Sequence, residues 1–98
     1  MARYLVLWEL DLTKVPVSPQ ERAAGWTALI DMTKQDIEQG RVKDWGSFVG
    51  ELKGYAVAEG TEVEIGAFMQ RYIPYVRFEA HPVGTVSQVE EIIKALTK

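Results

Sequence analysis

Arg77, Glu79 and His81 stand at alternate positions in one short stretch, "VRFEAHPV". In an extended chain, side chains two apart share a face. An arginine, a carboxylate and an imidazole together suit the handling of a small anionic or carbonyl-bearing molecule. The guanidinium fork matches a carboxylate, and the imidazole exchanges a proton near neutral pH. Glu9 adds a second carboxylate near the N-terminus, one whose basicity burial would raise. Tyr55 and Trp45 are planar groups able to line a cleft for an organic ligand. The candidates are therefore Glu9 and His81 for proton transfer, and Trp45, Tyr55, Arg77 and Glu79 for holding a ligand.

Each candidate also has a purely structural reading. His81 precedes Pro82 and can be an idle histidine at a strand end. Arg77, Glu79 and Glu9 can form an ion-paired cluster that sets the register of an interface. No metal or cofactor is expected. His81 is the single histidine and the chain has no cysteine, whereas a zinc site would need about three more ligands. A haem ligand would need an apolar pocket, and Arg77 and Glu79 are poor neighbours for one.

The elements that carry these residues can be read from periodicity and capping signals. "RYLVLWELD" (residues 3–11) is rich in β-formers, with Tyr4, Val6, Trp8 and Leu10 on one parity and Leu5, Leu7 and Glu9 on the other. Ser18, Pro19 and Glu21 open a helix. It continues through Trp26, Leu29, Ile30, Thr33 and Ile37 and is capped at Gly40. Residues 43–49 and 54–59 read as two strands joined by the hairpin connection "GELKG". Thr61 and Glu64 form a capping box ahead of Ile65, Phe68, Met69 and Tyr72, and Pro74 stops that helix. "YVRFEAHPV" is the fourth strand. Ser87 and Glu90 predict the start of a C-terminal helix carrying Val89, Ile92, Ile93 and Leu96, with the basic end "KALTK".

The order β-α-β-β-α-β plus one helix predicts a single α+β domain over residues 1–98. The expected architecture is ferredoxin-like: an antiparallel four-stranded sheet with two helices on one face. The helices should cover Tyr4, Val6, Trp8, Leu10, Ala56, Ala58, Val76 and Phe78. The other face would present Leu5, Leu7, Glu9, Tyr55, Val57, Glu59, Arg77, Glu79 and His81, with Trp45, Ser47 and Val49 beside them. Such a face is too apolar for water and too polar for a dry core. A second copy packed sheet to sheet would resolve the conflict.

"LKGYAVAEG", a capped helix and "RYIPYVRFEAHPV", most specifically over roughly residues 54–83, resemble the second half of the small dimeric α/β-barrel proteins, muconolactone isomerase and one-domain proteins without known activity among them. The resemblance implies a homodimer whose two sheets close a barrel around ligand clefts, with a higher oligomer left open. Members of that superfamily include isomerases, cofactor-free monooxygenases and haem-degrading enzymes. No member's catalytic motif maps residue by residue onto this chain, so the fold carries over further than the activity. Two functions are expected from it. One is binding, or cofactor-free isomerase-like or monooxygenase-like turnover, of a small organic ligand between the sheets. The alternative is a non-catalytic oligomerisation or regulatory module whose sheet face is filled by its partner. Whether the chain is an enzyme is open at this point.

Composition excludes other classes. A net charge of −3 argues against a nucleic-acid partner. "KGYAVAE" has the look of the third strand of an RNA-recognition motif, but Val57 and Glu59 stand where stacking aromatics belong. "MARYLVLWELD" has no signal cleavage site and is too short to span a membrane. The absence of cysteine fits a cytoplasmic protein.

Overall fold

A computed structural model describes residues 2–97. The elements run β1 (Arg3–Leu10), a one-turn 3-10 helix (Leu12–Lys14), α1 (Pro19–Glu38), β2 (Val42–Ser47), β3 (Lys53–Glu59), α2 (Glu62–Gln70), β4 (Val76–Val83) and α3 (Val86–Leu96). The strands make one antiparallel sheet in the order β2-β3-β1-β4. This is a small α+β fold with three helices, compatible with a ferredoxin-like plan.

The apolar parities meet under the helices. Val6 and Trp8 of β1, Ala56 and Ala58 of β3, and Val76 of β4 are buried with Ile65, Phe68 and Tyr72 from α2 and the turn after it. Leu29 and Met32 of α1 pack against the same cluster. The alanines on β3 leave room for large neighbours, and Phe78 meets Phe68 and Tyr72 at ring separations of 6.3 and 5.9 Å. Pro82 lies on β4, an edge strand, where a missing N–H costs no ladder bond on the outer side.

Three sequence expectations are corrected. Trp45 does not lie on the open face: it stacks on Trp8 under the helices, with centroids 5.4 Å apart and planes 7° from parallel. The cause is an irregularity between Val42 and Asp44, which pair with the consecutive β3 residues Ala58 and Val57. This bulge shifts the parity of β2, so Val42 and Trp45 both turn inward. The cap of α3 is Thr85 with Gln88 rather than Ser87 with Glu90; Thr85 Oγ1 accepts from Gln88 N at 3.1 Å and Gln88 Oε1 from Thr85 N at 2.8 Å. Both pairs fit the capping pattern, and the earlier one adds about half a turn. In α1 the buried residues are Thr33 and Asp36, while Ile37 is nearly half exposed. Lys98, part of the basic end expected for the last helix, lies outside the described residues.

α3 stands apart from the rest. Every described residue from His81 to Thr97 is exposed. Its apolar stripe is bare, with Val86 at 78% and Leu96 at 80% exposure. The molecule is accordingly elongated, 60 Å by 25 Å by 20 Å.

Gly54 is what lets the two indoles stack. A Cβ there would stand 2.1 Å from the Gly46 carbonyl oxygen and 2.6 Å from Trp8 Cζ2. Gly25 in α1 has nothing within 4 Å of such an atom. Urea unfolding should therefore separate the two. Gly54→Ala is expected to lose about 1–3 kcal/mol through overpacking, and Gly25→Ala to gain about 0.5–1 kcal/mol through helix propensity. A neutral Gly54→Ala would contradict this packing.

Candidate functional site

The face of the sheet away from α1 and α2 presents the predicted set, apart from Trp45 and Ser47, which pair with the inward positions Ala56 and Gly54, and Val49, which follows the end of β2. Leu7 lies at its centre, paired with Tyr55 on one side and Glu79 on the other. One step along, Leu5 pairs with Val57 and His81. In the other direction Glu9 sits between Lys53 and Arg77. Leu5, Leu7 and Val57 are half-buried although, among the described residues, no helix covers them and their neighbours on the face are charged. That is the mixed face the alternation predicts.

The polar groups on this face are partly paired. His81 Nε2 stands 3.4 Å from Glu79 Oε1, and Arg3 Nη2 lies 3.3 Å from Glu59 Oε2. Tyr55 donates its hydroxyl to Asp44 Oδ2 at 2.9 Å, and that bond raises the phenol's pKa above its ordinary value. Asp44 reaches the face because of the β2 bulge. Among the described residues, Glu9 and Arg77 have no ion-pair partner within 4 Å. They line, with Glu79, an open groove of about 400 Å³ whose other walls include Leu7, Phe48 and Lys53. His81 and Tyr55 lie outside that lining. The structure thus brings Glu9, Arg77 and Glu79 together, leaves His81 and Tyr55 further along the same face, and turns Trp45 to the opposite one. Lys53 and Phe48 were missed because the strand ends differ from the sequence reading: Lys53 reads as hairpin connection but opens β3, and Phe48 reads as strand but follows the end of β2.

A second polar cluster, under the helices, was also missed. The carboxylate of Asp36 is fully buried. It accepts from Arg71 Nη1 at 2.6 Å, from Arg41 Nε at 2.9 Å and from the Tyr72 hydroxyl. Thr33 Oγ1 stands 3.5 Å from the same hydroxyl. No buried side-chain N or O atom among the described residues is left without a partner. The cluster ties the C-terminal half of α1 to the start of β2 and to the turn after α2; its carboxylate faces protein, while Arg71 also reaches the rim of a hollow beside α1. The helical period places Asp36 one residue from the apolar Ile37, so pattern alone could not assign it inward.

No protein-family model matches this chain, and no curated protein matches it.

The buried cluster has a pH signature. Burial, and then the hydrogen bond to Asp36, push the Tyr72 hydroxyl up to about 12. The folded state therefore favours the neutral phenol. Its contribution is complete below the unfolded value near 10 and is lost as pH rises towards 12, at roughly 1.4 kcal/mol per pH unit. Denaturant unfolding at pH 9 to 12 is expected to show this loss in the native chain, beyond the loss seen in Tyr72→Phe. Equal slopes in the two proteins would contradict it.

Proposed function

We propose that this chain acts as a homodimer, its open sheet faces packed together as a dimeric α/β barrel, and that the pairing encloses a cleft for a small organic ligand. Support comes from one observation above all: half-buried Leu5, Leu7 and Val57 sit in the middle of an otherwise charged face. A second copy would remove that apolar surface from water and leave the charged rows around a cleft. The bare stripe of α3 supports the same reading. An isolated helix of 11 residues is marginal in water, so a helix of this length with an unburied apolar stripe calls for a covering surface.

In that cleft Arg77, with Lys53 beside Glu9, would hold the anionic or carbonyl end of the ligand. Glu9 is the carboxylate best placed to take a proton, since it has no ion-pair partner within 4 Å among the described residues. Glu79 and His81, already paired, would act as one unit, with the imidazole passing a proton to or from the carboxylate. Tyr55 would orient rather than react, its hydroxyl being committed to Asp44. The likeness to muconolactone isomerase and cofactor-free monooxygenases supports an isomerase-like or oxygenase-like reaction as the enzyme form of this reading.

A second reading is favoured by the pairing within the face. Arg3 with Glu59, His81 with Glu79 and Tyr55 with Asp44 already satisfy many of its polar groups. In this form the partner fills the face and the chain is an oligomerisation or regulatory module.

Sedimentation velocity at micromolar concentration is expected to give twice the 11.1 kDa chain mass. Leu7→Arg, which sets a charge at the centre of the face, should shift the protein to monomer while leaving its circular dichroism intact. A native monomer would sink both readings. If the dimer forms, titration with benzoate separates them: movement of the Arg77 Nε–Hε and Glu9 resonances supports a cleft, and unmoved resonances support a filled face.

A further inference from the structure

A second hollow, on the helix side of the sheet, needs no partner. It lies between the N-terminal half of α1, the 3-10 turn and the turn after α2, and encloses about 400 Å³. That is within the roughly 300–1,000 Å³ of small-molecule sites. Leu10, Val15, Trp26, Leu29, Met32 and Leu52 make its walls. At its inner end a smaller cavity of about 40 Å³ shares Leu10, Trp26 and Leu29 and continues towards Trp8, Trp45 and Phe78.

The hollow exists because of how α1 is fastened. Its buried residues, Thr33 and Asp36, are both in the C-terminal half. Its N-terminal half offers Gly25 and Ala28 to the hollow, too small to fill the gap above the sheet. The helix is anchored at one end and stands off at the other.

The rim is cationic. Lys14, Arg22 and Arg71 border it, with Asp11 as the one carboxylate. Arg22 Nη1 donates to the Val17 and Pro16 carbonyl oxygens, at 2.7 and 3.4 Å, which orients the guanidinium without neutralising it. Arg71 shares Asp36 with Arg41, leaving one positive charge over in that cluster. The Asp11 carboxylate is occupied by the backbone N–H and hydroxyl of Thr13. An excess of positive charge around an apolar hollow, on a chain of net charge −3, selects for one ligand chemistry.

We propose that this cleft binds an alkyl or aryl-alkyl monocarboxylate, its apolar tail against Trp26, Leu29 and Met32 and its carboxylate at Lys14 and Arg22. The acid end stays at the wet rim, where desolvation costs little. The tail enters the hollow and replaces poorly held water with apolar contact. The site is separate from the open sheet face and stands or falls without the dimer.

Decanoate and decyltrimethylammonium, which share a chain and differ in the sign of the head, test the proposal. Each is titrated below its micelle-forming concentration into ¹⁵N-labelled protein. The Trp26 indole N–H is assigned with Trp26→Phe. Decanoate should shift that resonance saturably and bind at least about tenfold more tightly than the cation, as loss of a charge-assisted contact implies. Lys14→Glu should weaken decanoate by about tenfold or more. Ala28→Trp, which fills the hollow, should abolish the shift in a protein whose circular dichroism is unchanged. Equal binding of the two probes, decanoate shifts confined to α3 or to Leu7, or full binding by both variants would each overturn it.

Discussion

The buried carboxylate of Asp36 is the fastening on which the helix layer depends. No apolar residue of α1 is fully buried, although Leu29 and Met32 pack against the core; its two buried residues are Thr33 and Asp36. What helps hold it is one anion that takes hydrogen bonds from Arg41, just before β2, and from Arg71 and Tyr72 in the turn after α2, two separate parts of the chain. Burying such a group is tolerable only because every bond is made. Removing one partner of a buried pair costs about 3–5 kcal/mol, mostly from the charge left behind. The same fastening decides where the fold is open. With α1 pinned at its C-terminal half, the other half stands away from the sheet and leaves the apolar hollow behind Trp26.

The two faces of the sheet therefore differ in kind. On the helix side the side chains are large and aromatic, with Trp8 on Trp45 and Phe78 against Phe68 and Tyr72. Glycine at 54 makes the space for the Trp8 ring, while glycine at 46 makes room for the Tyr55 ring on the open face. On the open side short aliphatic contacts are surrounded by alternating charges. The first face is complete except for the hollow. The second has apolar residues at its centre and, among the described residues, no layer above them, and α3 repeats that condition.

Much of this was legible in the sequence where one rule governed a segment. Alternation along β1 and β4 gave the correct inward set, with Val6, Trp8 and Val76, and the small size of Ala56 and Ala58 gave that of β3. Together these also placed Glu9, Tyr55, Arg77, Glu79 and His81 on one open face. The rule failed where the backbone departs from it. One extra residue at the start of β2 reversed Trp45, and no alternation within "VKDWGS" could announce that bulge. Gly54 was the available clue, since a strand glycine often marks the close approach of another group, here the Trp8 ring. Asp36 escaped for a different reason. A lone acid on a helix normally reads as solvated, and its two arginines and tyrosine come together only in three dimensions. Ser87 lost to Thr85 because two overlapping capping boxes satisfy the same pattern.

The central claim is that a second copy covers the open face through Leu5, Leu7 and Val57. An isotope-filtered NOE experiment on a mixed sample tests it most directly, with one protomer ¹³C-labelled at its methyl groups and the other unlabelled. Cross-peaks between the labelled methyls of Leu5, Leu7 and Val57 and protons of the unlabelled copy are the result expected. A dimer whose only intermolecular cross-peaks come from Val89, Ile92 and Leu96 of α3, or a sample with none at all, would contradict it.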